Sequence, residues 1–379
     1  MPAPKKIVFA VRRPAVPPVP PPFGYTLWAW GNNTSGQLGL GDIFYRSSPV
    51  QVGSDTIWTI IEGGSAYAAG IKSDGTLWTW GNNGSGRLGQ GDEGTGTYRS
   101  SPVQVGALAD WAKVSCGSQT TACVKTDGTL WTFGSNAVGA LGVGDIISRS
   151  SPVQVGGLTD WIDARCHQIG VIALKTDGTL WSWGWNNKGQ LGLGNTVNRS
   201  SPVQIGLDTN WSKIACGVNH VLAIKTNGTL WGWGNNSVGA LGQGDITNRS
   251  TPTQIGGLTT WSDIAAGFDV SYFIKTDGTL WSCGKNTYGE LGLVDVIHRS
   301  SPVQVGGLTT WSNVGAADSS AEALKNDGTL WGWGRNQNGQ LGIEDIINRS
   351  SPVQVGSETD WIAIPRQTGY YEFYGLRQV

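Results

Sequence analysis

The sequence lacks the features that would place the chain in a membrane. No apolar run approaches the ~18 residues that a helical membrane span needs. The first residues, MPAPKKIVFAVRRPAVPPVPPPFG, contain one short apolar patch, IVFAV, which is too brief for the core of a signal peptide and is soon followed by Arg12 and Arg13. The sequence therefore predicts neither a membrane span nor export by a signal peptide.

Residues that commonly carry catalysis are scarce. The chain has three histidines, His167, His220 and His298, and it shows no nucleophile motif, metal-ligand spacing or phosphate-binding loop. Its many glycines fall in recurring turns, so an isolated GxG match carries no information. We therefore expect no catalytic residues, no metal site and no cofactor, and we predict that the protein is not an enzyme.

The five cysteines do not suggest a disulfide framework, because their number is odd. Cys116, Cys166 and Cys216 are spaced 50 residues apart, and the next two positions in that series are Ala266 and Ala316. Cysteine and alanine are both small, so a requirement for a small buried side chain explains all five positions. We therefore expect structural cysteines, with a thiol or metal role as the alternative.

Long helices are also excluded. The 58 glycines and 16 prolines interrupt the 379-residue chain too often, and no window of a dozen residues has apolar side chains at helical spacing. An all-β fold is predicted. The formal net charge of −1 argues against a general binder of nucleic acid and names no other partner.

What the sequence has in abundance is one repeated segment. KTDGTLWSWG at residues 175–184 returns as KSDGTLWTWG at 72–81, KTNGTLWGWG at 225–234 and KNDGTLWGWG at 325–334. The tryptophan after the leucine recurs at spacings of 50, 53, 50, 50, 50 and 50 residues, which gives seven copies. Seven units of about fifty residues match the period of a β-propeller.

Tryptophan is abundant for the same reason. Of the 20 tryptophans, 19 fall at three recurring positions of the unit, so we interpret them as core residues. Trp185 alone lies outside the pattern.

Each unit divides into four short strands. In residues 211–256 these are WSKIACG, HVLAIK, TLWGWG and TPTQIG, with a glycine-rich loop before the last. The Asp-Gly or Asn-Gly pair before TLW supplies the positive φ values of a tight hairpin turn. The first strand ends in small residues, which suits the narrow inner edge of a blade, and the proline-containing fourth strand suits its outer edge.

The two ends of the chain complement each other. Residues 24–52 provide a TLWAWG strand without a preceding partner, and residues 361–379 provide a first strand and a YYEFYGLR strand with nothing following. We predict a seven-bladed β-propeller of four-stranded antiparallel blades over residues 24–379, in which these two segments share one blade and close the ring.

These residues resemble the regulator of chromosome condensation repeats, whose units carry a pattern like W-G-x-N-x-x-G-Q-L-G-x-G-D. The matches include WGNNTSGQLGLGD at 30–42, WGNNGSGRLGQGD at 80–92 and WGWNNKGQLGLGN at 183–195. The resemblance implies a seven-bladed propeller, and the near-identity of the units is most like bacterial and phage members. The family also includes exchange factors for small GTPases, ubiquitin-ligase modules and chromatin binders. Exchange factors are expected to use a protruding wedge, whereas the only blade insertion here is three residues within Glu93–Thr97.

The glycine-rich loop carries a recurring acid and a recurring arginine. One carboxylate per loop is too few for a calcium site, so we predict that the acid and the arginine brace the loop. The acidic position is Asp42, Asp92, Asp145, Asn195, Asp245, Asp295 and Asp345, and the arginine is Arg46, Arg99, Arg149, Arg199, Arg249, Arg299 and Arg349.

Function is expected where the copies differ, because the recurring positions are accounted for by the fold. The turns after the first strands should gather around one mouth of the axial channel, and the residue after each WG motif also varies. Large or charged side chains at such positions are typical interface anchors, although drift on a tolerant loop is the alternative at each one. The candidate surface or ligand-binding residues are Tyr67, Gln119, Trp185, His220, Asp269, Lys285 and Arg335.

Residues 1–23 differ in composition from the rest. Eight of them are proline, which favours an extended spacer or a strap along a partner, and four are basic: Lys5, Lys6, Arg12 and Arg13. The leading prediction is a non-catalytic interaction or structural subunit of a larger assembly, docked through this arm, with a phage virion as the expected setting and the cytoplasm otherwise. The alternatives are an adhesin that binds a glycan or a host protein at the mouth and, third, a nucleotide exchange factor.

Overall fold

The computed structural model describes residues 24–94 and 96–379. This part of the chain forms 28 strands in seven four-stranded antiparallel sheets, which confirms the predicted all-β, seven-bladed propeller. Within it, no helix is long and apolar enough to cross a membrane. The predicted arm, with Lys5, Lys6, Arg12 and Arg13, lies outside the described residues.

The strands follow the unit boundaries predicted from the repeat. In chain order they are β1 (Thr26–Gly31), β2 (Arg46–Gln51), β3 (Trp58–Gly64), β4 (Tyr67–Lys72), β5 (Leu77–Gly81), β6 (Arg99–Gln104), β7 (Trp111–Cys116), β8 (Thr120–Lys125), β9 (Leu130–Gly134), β10 (Arg149–Gln154), β11 (Trp161–His167), β12 (Gly170–Lys175), β13 (Leu180–Gly184), β14 (Arg199–Gln204), β15 (Trp211–Cys216), β16 (His220–Lys225), β17 (Leu230–Gly234), β18 (Arg249–Gln254), β19 (Trp261–Ala266), β20 (Val270–Lys275), β21 (Leu280–Gly284), β22 (Arg299–Gln304), β23 (Trp311–Ala316), β24 (Ser320–Lys325), β25 (Leu330–Gly334), β26 (Arg349–Gln354), β27 (Trp361–Ala363) and β28 (Glu372–Arg377).

Six blades are simple meanders, each made of four consecutive strands from β3–β6 to β23–β26. The seventh has the order β2-β1-β28-β27, so the two ends of the described chain share one sheet as predicted. β1 pairs with β28 from Thr26 opposite Arg377 to Gly31 opposite Glu372. The two segments close the ring and leave no open sheet edge between the first and last blades.

The tight hairpin between the second and third strands is present, but its geometry differs from the expectation in one respect. In the first complete blade the loop is Ser73-Asp74-Gly75, and only Gly75 has a positive φ, of 79°. Gly75 N donates to Lys72 O and Lys72 N donates to Thr76 O, the pattern of a three-residue hairpin loop whose last residue is left-handed. The glycine alone therefore supplies the left-handed conformation.

Aromatic packing joins neighbouring blades. Trp80 is fully buried, and its Nε1 donates to the carbonyl of Gln37 in the preceding blade at 2.7 Å. Trp183 makes the equivalent bond to Ala140 at 3.0 Å. Because these rings lie between sheets, the cores form between blades. Twelve of the 19 recurring tryptophans are buried core residues as predicted. The prediction was wrong for the tryptophan after leucine, which is only partly buried in all seven blades.

In the six meander blades the first strand is the innermost, since the first strands of successive meander blades contact one another. Cys166 N on β11, for example, donates to Ser115 Oγ on β7 at 3.0 Å. This inner edge also holds larger side chains than the sequence pattern predicts. Glu62 and Arg165 also lie at the axis and form an ion pair there.

Candidate interaction face

The variable turns between first and second strands and the variable residues after the WG motifs lie on one face of the propeller. The turns between first and second strands, such as Ser118-Gln119, lie beside the glycine-rich loops of their own blades, since Ser135 N donates to Gln119 O at 2.8 Å. The second-to-third-strand hairpins lie at the opposite ends of the same strands. We call the side with these turns and loops the mouth face.

An open pocket marks the axis on the mouth face. Its walls include Ser65, Ser118, Phe268 and Asp318, which come from the turns of four different blades, and Tyr370 from the closing blade. Glycine and alanine backbones form much of the rest of the lining. The prediction that these turns gather around one mouth is thus confirmed.

The most developed side-chain cluster on this face surrounds Arg335. Its guanidinium carbon lies 5.1 Å from the ring centroid of Tyr288 and 4.8 Å from that of Tyr371. Nη1 donates to the Tyr371 hydroxyl at 3.2 Å, and Nη2 donates to Gln337 Oε1 at 2.6 Å. Two rings and hydrogen bonds to two side chains thus fix the orientation of a partly exposed cation.

Charged groups continue from this cluster toward the axis. Asp269 Oδ1 accepts a hydrogen bond from Asn235 at 3.0 Å, and Lys285 Nζ lies 3.5 Å from Ser319 Oγ. Burial raises the pKa of Asp269 and of Asp318, and the Lys285 ammonium opposes the rise at both. We call Asp269, Lys285, Tyr288, Asp318, Arg335 and Tyr371 the mouth cluster.

The structure brings three of the seven predicted surface residues together, namely Asp269, Lys285 and Arg335. Gln119 and Trp185 lie on the same face in other blades, and both are partly exposed. Trp185 N donates to Ile169 O at 2.9 Å, which places the Trp185 loop beside the turn of its own blade.

The other two predicted residues, Tyr67 and His220, are corrected by the structure because both side chains are fully buried. The Tyr67 hydroxyl donates to Thr120 O at 3.0 Å, and His220 Nε2 lies 2.9 Å from Ser271 Oγ. Each begins the second strand of its blade, where all six residues are buried between neighbouring sheets. Neither side chain is available to a ligand at the mouth.

Sequence reasoning missed the aromatic members of the mouth cluster. The sequence pattern places Tyr371 in a YYEFYGLR strand, but β28 begins at Glu372, which leaves Tyr370 and Tyr371 on the mouth face. Tyr288 occupies a loop position where the other units have Ser, Val, Lys or Asn. This departure from the repeat is the sequence signal that could have identified Tyr288.

The acid and arginine of the glycine-rich loop brace it, as predicted. Arg249 Nη2 donates to Asp245 Oδ2 at 2.5 Å, and Asp245 Oδ1 accepts from Thr247 N at 2.9 Å. Six loops have this ion pair. In the seventh, Asn195 replaces the acid, and Arg199 keeps only the bonds to backbone carbonyls that the other arginines also make.

Most of the other side chains that could act as a nucleophile or a general base lie in the core. All five cysteines are free and buried, and burial raises the pKa of each thiol. Burial lowers the pKa of His167 to about 3 and that of His220 to about 4. Over residues 24–94 and 96–379, no three His, Cys, Asp or Glu side chains are grouped so that they could hold a metal ion.

The repeats match the family model described as "Regulator of chromosome condensation (RCC1) repeat" seven times. The matched residues are 26–70, 74–124, 127–174, 177–224, 227–274, 277–321 and 327–364. The chain belongs to the RCC1 repeat family. A second RCC1 repeat model matches residues 111–140, 211–240 and 261–290.

One curated human protein, the probable E3 ubiquitin-protein ligase HERC6, is 31% identical to this RCC1-repeat chain over 121 residues. The match covers 31% of this chain and 12% of HERC6, so the chain spans a small part of that relative. The shared region is thus a portion of the propeller.

Solved RCC1-like propellers have the same fold. Human WBSCR16 superposes with a TM-score of 0.83 at 22% identity, covering 94% of this chain and 99% of that one. Yeast RCC1 (Prp20), in a structure with bound Kap60, gives 0.85 at 17% identity, covering 99% and 97%. These identities establish a common fold and nothing finer.

Proposed function

We propose that this RCC1-repeat propeller is a non-catalytic interaction subunit that binds a protein partner through the mouth cluster. The observation that carries the proposal is Arg335, held between the rings of Tyr288 and Tyr371 on a partly exposed surface. Arginine and tyrosine are the side chains that most often dominate binding energy at protein interfaces. Fixing their conformations before binding reduces the entropy lost on association.

The charges beside Arg335 add specificity. A positive charge on Lys285 lies close to the carboxyl groups of Asp269 and Asp318. A partner therefore needs charged groups in a complementary arrangement, and a high net charge of one sign is not enough. The open axial pocket next to them offers an apolar recess lined by Phe268 and Tyr370. A polar and aromatic surface around a small recess suits a protein partner.

The placement of reactive groups supports a non-catalytic role. The cysteine thiols are buried with raised pKa values, and two of the three histidines are buried with lowered pKa values. Nucleophiles and general bases need access to substrate, which these groups do not have.

The family comparisons also favour a protein as the partner. Yeast RCC1 (Prp20) is described bound to Kap60, and Prp20p is described with its binding to Gsp1p and histones. We extend to this chain only the class of partner, a protein.

The test is co-purification from the producing cells with tagged full-length protein, quantified by mass spectrometry. Arg335→Ala removes the cluster's central cation and is expected to lose the partner, because a central interface arginine contributes ~2 kcal/mol or more, about thirtyfold in affinity. Arg199→Ala is the matched control, since Arg199 begins β14 in another blade and forms no ion pair with a described residue. A partner set that is the same for both variants and the wild type would refute the proposal.

The finer part of the proposal is that the assembly is a phage virion and that residues 1–23 dock the propeller onto it. Its support is the proline-rich, basic composition of the arm and the near-identity of the units. Deletion of residues 1–22 should abolish incorporation into particles, with the Arg335→Ala chain as a comparison. Unchanged incorporation would refute docking by the arm.

The alternatives make different predictions. An adhesin would bind an immobilised glycan or host protein through the mouth, with the partly exposed Trp185 and Gln119 as contacts. An exchange factor would accelerate release of a fluorescent nucleotide from a small GTPase. Glycan-array and nucleotide-release measurements on the purified chain separate these functions from the proposed one.

A further inference from the structure

In each blade a lysine or arginine side chain lies over a pair of tryptophan rings. This cation is the last residue of the second strand. One tryptophan is the first residue of the first strand, and the other follows leucine in the third strand. Lys275 Nζ, for example, is 5.1 Å from the ring centroid of Trp261 and 3.8 Å from that of Trp281. The seven cations are Lys72, Lys125, Lys175, Lys225, Lys275, Lys325 and Arg377.

In five blades the cation forms an ion pair with a carboxylate from the linker that precedes the first strand. The pairs are Lys72–Asp55 at 2.7 Å, Lys125–Asp110 at 3.2 Å, Lys175–Asp160 at 3.4 Å, Lys225–Asp208 at 2.9 Å and Arg377–Asp360 at 2.8 Å. The repeats themselves thus show which group complements this site. It is a carboxylate carried by an extended peptide.

Two adjacent blades lack that carboxylate. Thr260 and Thr310 occupy the linker position that is Asp110 or Asp160 in two of the other blades. Neither Lys275 nor Lys325 forms an ion pair with a described residue. Both of these lysines are partly exposed, whereas the four paired lysines are buried. Residues 1–23 and 95 contain no Asp or Glu.

The backbone around the missing carboxylate is unchanged. Thr276 N donates to Thr260 O at 2.8 Å, as Thr126 N donates to Asp110 O at 2.8 Å. The linker therefore holds the same position relative to the second strand in both kinds of blade. Only the acidic side chain is missing.

Each of the two sites adjoins a groove between neighbouring blades. The first groove is lined by Lys275, Trp281, Leu258 and Pro302, among others. The second has Trp331, Leu308 and Pro352 at the equivalent positions. Leu258 and Leu308 are 49% and 46% exposed, so each groove offers an apolar contact beside the cation.

We propose that these two grooves bind an acidic peptide segment of a partner protein, with one Asp or Glu carboxylate on Lys275 and a second on Lys325. Apolar side chains of the same segment pack against Leu258 and Leu308. The ligand is a peptide because the native occupant of five equivalent sites is an aspartate on an extended linker. The site is separate from the mouth cluster, since these lysines lie at the far ends of their strands.

The experiment measures fluorescence anisotropy of a fluorescein-labelled poly-glutamate peptide with the full-length chain at low salt, with poly-glutamine as the uncharged probe. Thr260→Asp with Thr310→Asp restores the linker carboxylates and should occupy both sites. Each of these partly exposed ion pairs should contribute about twofold to threefold in affinity, so the double variant should bind poly-glutamate about fourfold to ninefold more weakly. Lys275→Gln with Lys325→Gln should weaken binding to a similar extent.

The matched control is Thr159→Asp with Thr209→Asp, which adds the same charge to linkers whose blades already have a paired lysine. It should change the affinity less than about twofold, because poly-glutamate does not bind there. Equal loss in the control, wild-type binding by the Thr260/Thr310 variant, or equal binding of poly-glutamine would overturn the proposal. The restored variant should also melt at a higher temperature than the wild type. The absence of any rise would contradict the claim that these sites complement a carboxylate.

Discussion

Arg165 on β11 forms an ion pair with Glu62 on β3 near the propeller axis, with Nη1 2.6 Å from Oε1. The two strands belong to blades separated by a third blade, whose inner strand offers the small side chain of Ser115 at this level. Asp163 is a second carboxylate partner of Arg165, at 3.3 Å. Together the carboxylates raise the pKa of Arg165, which keeps the guanidinium charged although it is almost buried.

This ion pair makes Arg165 a sensitive position for stability. Arg165→Met should lower the free energy of unfolding by about 3–5 kcal/mol, because it leaves the Glu62 carboxylate buried without its partner. Arg165→Met with Glu62→Gln should be less destabilised than Arg165→Met alone, since the uncompensated charge is gone. Urea unfolding of the three proteins measures the difference. Equal stability of the single and double variants would show that the ion pair is not the cause.

Glu372 should make stability depend on pH. Its carboxyl is buried next to the mouth, and burial raises its pKa to about 8 from an ordinary 4.5. Between these values the unfolded chain releases the proton and the folded chain keeps it, so this group's effect is to lower stability as pH rises from 4.5 to 8. Glu372→Gln should therefore be more stable than the wild type by several kcal/mol at pH 8 and about equal to it near pH 4.

Thermal melting over that pH range tests the Glu372 prediction. Glu93→Gln is the control, because it removes a carboxylate from an exposed loop position. The gain should appear only in Glu372→Gln and should shrink as the pH falls. A gain that is constant with pH would mean that folding does not shift the pKa of this carboxyl, which would contradict the prediction.

Two kinds of interaction stabilise each glycine-rich loop: the hydrogen bonds of a buried asparagine, and the interaction of the recurring acid with the recurring arginine. Asn236 is fully buried, donates from Nδ2 to Asp245 O at 3.0 Å and accepts from Leu241 N at 2.8 Å. Asn236→Ala should cost about 2–3 kcal/mol, because it leaves buried backbone groups unpaired. Asp245→Asn should cost clearly less than Asn236→Ala, because it removes only a solvent-screened ion pair and the native loop with Asn195 already lacks one. Denaturant unfolding that ranks the two variants in the opposite order would contradict this division.

The recurring segment KTDGTLW could be interpreted almost completely from the sequence. In one copy, Asp177 Oδ1 accepts from Thr179 Oγ1 at 2.7 Å, and Thr179 Oγ1 accepts from Trp181 Nε1 at 3.0 Å. The hairpin, its side-chain bonds and the strand positions depend on residues a few positions apart, so they repeat wherever the letters repeat. The number of blades and the closure by residues 24–52 and 361–379 followed from the same local regularity.

The candidate site could be predicted only in part. Arg335 and Lys285 stand out as departures from the repeat, but Tyr288 and Tyr371 reach Arg335 from loops of different blades. Tyr67 and His220 also depart from the repeat, yet they begin second strands that are buried between sheets. Which of the variable residues face solvent depends on packing between blades.

The sequence by itself determined a closed ring of seven similar sheets, because hydrogen bonding and hydrophobic alternation within each unit are local and recur with the repeat. The tertiary structure alone decided which exceptional residues meet at the mouth, which pair near the axis, and which lysines remain without a carboxylate. Those outcomes depend on distances between side chains that are tens to hundreds of positions apart in the chain, and no local pattern encodes them.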